Sequence, residues 1–105
     1  MRKRIQYRES LLLPVSTPKK LGIMEAIFFR EAHPIVFALR DDGIYCIDIL
    51  SDSSEETVLT FLRTLDANEV DTVYIDPVDS IRSAAAIAFP SANLVVTDVY
   101  SSLCA

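Results

Sequence analysis

Two aspartates stand at the ends of apolar, β-forming runs. Asp76 closes Val70-Asp71-Thr72-Val73-Tyr74-Ile75, and Asp98 closes Asn93-Leu94-Val95-Val96-Thr97. A carboxylate at a strand tip can hold a hard divalent cation through oxygen. It can equally cap the helix that follows, by accepting from that helix's first free N–H groups. Asp76 is followed at once by Pro77, a residue favoured at the first helical position, so both readings stand for it. Asp79 is an alternative cap or first-turn acid, and Asp98 reads equally as an ordinary strand-end acid or a site residue. The remaining reactive groups exclude several chemistries. The one histidine, His33, and the distant Cys46 and Cys104 cannot build a zinc cluster. No Ser-His-Asp set can be assigned around one histidine, and no Gly-rich phosphate loop is present. The acidic run Asp52-Ser53-Ser54-Glu55-Glu56 lacks the ligand spacing of a calcium loop.

The elements that must position these acids follow from the bulk numbers and the periodicities. The chain has 105 residues, enough for one core, with 50% hydrophobic residues and only two glycines, which excludes a disordered or low-complexity polypeptide. The longest uncharged stretch, Ser83 to Thr97, contains Pro90 and is too short to span a bilayer. The N-terminus lacks the apolar core of a signal peptide, so a soluble cytoplasmic protein with reduced thiols is expected. The net charge of −5 is unevenly spread. Residues 1–20 carry six basic side chains against Glu9 alone, a net +5, and the rest carries four against fourteen acids, a net −10. Residues 1–18 read as a basic leader or solvated tail, in which the triplet Leu11-Leu12-Leu13 could pack on the body or on a partner. Residues 19–105 read as the folded core.

Within that core, Leu21 to Phe29 is rich in β-formers and predicts a first strand. Ile35–Leu39 and Ile44–Leu50 flank Arg40-Asp41-Asp42-Gly43, and Asp-Gly between two such runs predicts a hairpin. His33, before Pro34, reads as a loop residue, Cys46 as a buried small hydrophobe, and Asp48, alternating with Ile47 and Ile49, as facing solvent or a hairpin neighbour. Ser53 with Glu56 fits a capping box, and Val58, Leu59, Leu62 and Leu65 continue at helical spacing. Thr72 to Ile75 predicts a fourth strand. Val78 to Phe89 predicts a second helix whose Ala84, Ala85, Ala86 and Ala88 allow close approach to a sheet, ended by Pro90. Asn93 to Asp98 predicts a fifth strand. The order β-β-β-α-β-α-β predicts a mixed five-stranded sheet: an antiparallel meander, then two parallel, right-handed crossovers.

Several segments in this order resemble the DDE transposases of bacterial insertion sequences, nearest to the branch called ISL-three. They are Gly22-Ile23-Met24-Glu25, the His33–Leu50 hairpin, Glu56 to Leu62, Tyr74-Ile75-Asp76, and Phe89-Pro90-Ser91-Ala92-Asn93 leading to Asp98. The resemblance covers roughly residues 20–103 and rests on the order and spacing of short motifs. It implies an RNase H-like fold in which three carboxylates hold two Mg²⁺ or Mn²⁺ ions for phosphodiester transfer. Asp76 matches the second carboxylate. The first-strand aspartate is replaced by Met24, a thioether with little affinity for Mg²⁺, and Glu25 is expected on the opposite face of the strand. The histidine that follows the last strand in the family is Ser101 here. The chain ends at Ala105, before the helix that carries the third acid.

These departures set the functional expectation. The chain reads as transposase-related, concerned by descent with DNA recombination, but catalytically inactive and with no cofactor expected. Asp76, Asp98 and Glu25 are the vestigial site residues, Asp76 the one metal-facing position among them. DNA is the ancestral partner. The alternative is an oligomerisation or protein-interaction module that reuses the same fold, with self-association expected from its apolar surface.

Overall fold

A computed structural model describes residues 5–7 and 17–104. The strands are β1 (Ile5–Tyr7), β2 (Lys20–Phe28), β3 (Glu31–Arg40), β4 (Gly43–Ile49), β5 (Thr72–Ile75) and β6 (Asn93–Val96), and the helices are α1 (Glu55–Leu62), α2 (Asp79–Ala88) and α3 (Val99–Cys104). They form a six-stranded mixed sheet in the order β1-β4-β3-β2-β5-β6. The β2-β3-β4 meander is antiparallel, while β5 lies parallel to β2 and β6 parallel to β5, as expected for the five core strands. The expected five strands are joined by a sixth, because Ile5–Tyr7 of the leader pairs in parallel with Ile44–Cys46. Leu11-Leu12-Leu13 and the basic side chains before them lie outside the described residues.

Side chains alternate along each strand, so the sheet has two distinct faces. On one face, Leu21, Ile23, Val36, Val73 and Ile75 pack under Val58 and Leu62 of α1 and Ile81, Ala84 and Ala85 of α2, all of them buried. The two small alanines let α2 sit close to the sheet, whereas Ala86 points to solvent. On the other face, Phe37, Ile44 and Cys46 pack with Val99 and Leu103 of α3, and Met24, Ile35, Leu39 and Tyr74 close around them. Cys46 is buried as expected, and burial pushes its thiol pKa up. A bulge between Val36 and Phe37 skips Ile47 in the β3–β4 register.

Local chemistry moves several expected boundaries. α1 is capped by Ser54, not Ser53: the Ser54 hydroxyl accepts from Thr57 N–H at 3.2 Å. Ser53 is engaged elsewhere, its hydroxyl donating to the Ala32 carbonyl and its own carbonyl accepting from the Ser80 hydroxyl at 2.6 Å. His33 is not in a loop; it lies within β3, with Nδ1 2.9 Å from the Leu50 carbonyl. Pro34 is tolerated in the same strand because its missing N–H falls on the β4 side, where only its carbonyl is used, by Leu50 N–H at 2.8 Å.

Asp52 prepares the Ser54 cap by accepting from Ser54 N–H at 2.9 Å, and hydrogen bonds from Ser54 hold its pKa below the ordinary 3.8. A carboxylate whose folded pKa is depressed contributes stability above its unfolded pKa and loses it as pH falls through the folded value. Asp52→Ala is therefore expected to lower the melting temperature at neutral pH. The gap between variant and parent should close on acidification below 3.8 in thermal melts followed by circular dichroism.

The two meander turns differ. Asp41 and Asp42 make the β3–β4 turn, and Gly43, at φ 156°, takes the one positive φ at its end. The β2–β3 turn places Phe29 at φ 50° and Arg30 at φ 68° between the paired Phe28 and Glu31. A two-residue turn with both φ positive matches the right-handed twist of a hairpin and favours Asn-Gly. Non-glycine residues held there cost about 1–3 kcal/mol each. Replacing Phe29-Arg30 with Asn-Gly is expected to raise the melting temperature by roughly 4–8 °C per kcal/mol relieved, read from thermal unfolding.

Candidate functional site

The acids singled out in the sequence gather at one end of the sheet. The last parallel pair of β2 and β5 is Ile23 with Ile75, and that of β5 and β6 is Ile75 with Val96. Asp76 N–H then donates to the Ile23 carbonyl at 3.1 Å, and Thr97 N–H to the Ile75 carbonyl at 2.9 Å. Asp76 and Asp98 therefore follow the C-terminal ends of β5 and β6, and Met24 lies within β2 just past its last pair with β5. In open α/β sheets this is the end where ligands are bound. Strand alternation puts Met24 and Tyr74 on the α3 face, and Asp76, two residues after Tyr74, follows the same parity.

The carboxylates gathered there are engaged by the fold itself. Asp76 Oδ2 accepts from Glu25 N–H at 2.9 Å, and Asp76 Oδ1 accepts from Val99 N–H at 2.9 Å. One side chain thus ties β2 at Glu25 to the first residue of α3, and each of its oxygens accepts one bond. It does not cap α2. The residue before that helix is Val78, which makes no side-chain cap, and Asp79 stands in the first turn in an exposed ion pair with Arg82 at 3.1 Å. Asp98 caps α3: its Oδ1 accepts from Ser101 N–H at 3.2 Å and its Oδ2 from the Ser101 hydroxyl at 3.0 Å. Glu25 enters through its backbone N–H, and its side chain follows the parity of Leu21 and Ile23, away from Met24.

α3 was the element missed in the sequence. Its signal is present all the same: Asp98 stands three residues before Ser101, and Val99 and Leu103 recur at i and i+4 on the buried side. Six residues give too short a periodicity to separate from a frayed strand end.

The donor set does not suit Mg²⁺ or Mn²⁺. Position 24 offers a thioether, and the Asp76 oxygens already accept backbone N–H groups. Among the described residues no three His, Cys, Asp or Glu side chains converge to hold a metal ion. A separate cavity of about 310 Å³ opens toward the other end of the sheet, between Lys20, Arg40, Tyr74, Val99 and Leu103. It contains none of the three acids. Among the described residues no helix is long and apolar enough to cross a membrane. Compared with known proteins, the chain matches no family model and no curated protein.

Proposed function

We propose that this chain is a non-catalytic, RNase H-like core of the DDE transposase type, related by descent to DNA recombination and now serving assembly instead of phosphodiester chemistry. The observation that carries this reading is the Asp76 bracket beside Met24. Two-metal transfer needs several carboxylates with free lone pairs a few ångströms apart. Here each oxygen of the acid at the matching position already accepts a backbone N–H, and its expected neighbour is a methionine. The meander followed by two parallel crossovers, with β2 at the centre, supports the lineage. DNA belongs to the ancestral role and a cytoplasmic location goes with it.

Purified protein incubated with Mn²⁺ and supercoiled DNA is expected to leave the DNA intact. Metal-dependent nicking that disappears in Asp76→Ala would overturn the non-catalytic reading.

A further inference from the structure

The cavity toward the end of the sheet away from Asp76 has the make-up of a ligand site. Its volume of about 310 Å³ falls at the lower end of the range for small-molecule pockets. Its apolar lining comes from Leu39 and Ile44 of the meander and from Val99 and Leu103 of α3. Gly22 lets α3 approach the sheet beside it, since a Cβ at that position would lie 3.4 Å from Val99 Cγ1. Lys20 follows the parity of Gly22 and Met24. It therefore projects from this same apolar face, diagonal to Tyr74 across the β2–β5 pair.

Two donors at the cavity are unused. Neither the Lys20 ammonium nor the Tyr74 hydroxyl has a hydrogen-bond or ion-pair partner among the described residues. Tyr74 is half-buried, yet among the described residues no buried side-chain oxygen lacks a partner, so its hydroxyl is open to solvent. Arg40 adds a second positive charge at the cavity and Asp41 one negative charge. The described residues carry fourteen acids and six bases. A mouth with two bases and one acid reverses the sign of the body around it.

We infer that this cavity binds a small organic monoanion, an apolar body carrying one acid group. The body rests on the aliphatic lining, and the acid group accepts from the Lys20 ammonium and the Tyr74 O–H. One negative charge matches the mouth, a second would meet Asp41, and an ammonium would meet Lys20 and Arg40. The site shares no residue with the Asp76 bracket, so it stands or falls apart from the non-catalytic reading.

The test is a titration of the ¹⁵N-labelled full chain with sodium octanoate, followed by amide chemical shifts. Saturable shifts are expected at Lys20, Leu39 to Asp41, Ile44 and Val99 to Leu103, with a dissociation constant of about 0.1–1 mM. Butanoate, with less apolar body, should bind about tenfold or more weakly. Octylammonium should bind at least about fivefold more weakly than octanoate. Lys20→Glu reverses one charge at an exposed position, which leaves the core untouched, and should weaken octanoate by about fivefold. Tyr74→Phe removes only the hydroxyl and should weaken it by about two- to tenfold. Shifts that scatter over the surface without saturating overturn the inference. So does octylammonium binding as tightly as octanoate, or an octanoate affinity that Lys20→Glu leaves unchanged in a chain whose spectrum is otherwise that of the parent.

Discussion

Asp76→Ala is expected to destabilise the fold by about 2–4 kcal/mol. Hydrogen bonds to a charged acceptor contribute about 1.5–3 kcal/mol each, and this carboxylate makes two, in a half-buried position that tempers both. Alanine leaves Glu25 N–H and Val99 N–H without their acceptor at a junction that α3 partly covers. At roughly 4–8 °C per kcal/mol for a domain of this size, the melting temperature should fall by about 10–25 °C. The loss should be local first. Hydrogen exchange at Val99 to Leu103 should speed up before that of the α1–α2 face, whose core of Leu21, Val36, Val58 and Ile81 does not involve Asp76. Asp76→Asn keeps one acceptor oxygen and turns an N–H₂ toward the other donor, so it should fall between the parent and alanine. A melting temperature unchanged in Asp76→Ala would remove the structural role assigned to this residue.

Met24→Asp is expected to have the second largest effect, and its dependence on metal is the informative part. Met24 is half-buried with Ile35, Tyr74 and the α3 cluster, within β2 beside Glu25, whose N–H bonds Asp76. A carboxylate placed there is desolvated beside a second carboxylate, which should destabilise the fold by about 2–4 kcal/mol in metal-free buffer. Met24→Leu, which conserves volume, should cost less than about 1.5 kcal/mol. If the two positions descend from a cation site, millimolar Mn²⁺ should return part of the stability lost in Met24→Asp. It should do nothing for Met24→Leu or the parent, as read by the shift in melting temperature with metal concentration. Equal response of all three proteins would separate position 24 from any such site.

Much of this architecture was legible because it rests on strong local signals. Runs of β-forming residues marked the five core strands, and Asp41-Asp42-Gly43 marked the β3–β4 turn. Ala84, Ala85, Ala86 and Ala88 marked α2 as able to approach the sheet, and Ala84 and Ala85 are the two fully buried there. Where the reading failed, a tertiary bond had replaced a local one. Ser53 looked like the α1 cap, but it is drawn away by Ala32 and Ser80, residues distant in sequence. Asp76 looked like the α2 cap, since Pro77 follows it, but its carboxylate turns to Glu25 and to Val99, fifty-one and twenty-three positions away. The Phe29-Arg30 turn has no turn-forming residue at all, so propensity had nothing to register. The use to which the carboxylates of Asp76 and Asp98 are put was not legible, because it depends on which N–H groups the fold brings to them.

The central claim is that the Asp76 carboxylate is a bracket between β2 and α3 and not a ligand waiting for a cation. It is tested most directly by following the amide resonances of Glu25 and Val99 in ¹⁵N-labelled protein titrated with Mn²⁺. Paramagnetic Mn²⁺ held by Asp76 would lie next to both amides. The account predicts that the two resonances stay sharp and shielded from exchange while only scattered surface acids broaden weakly. Saturable, selective broadening of Glu25 and Val99 together, abolished by Asp76→Asn, would contradict it.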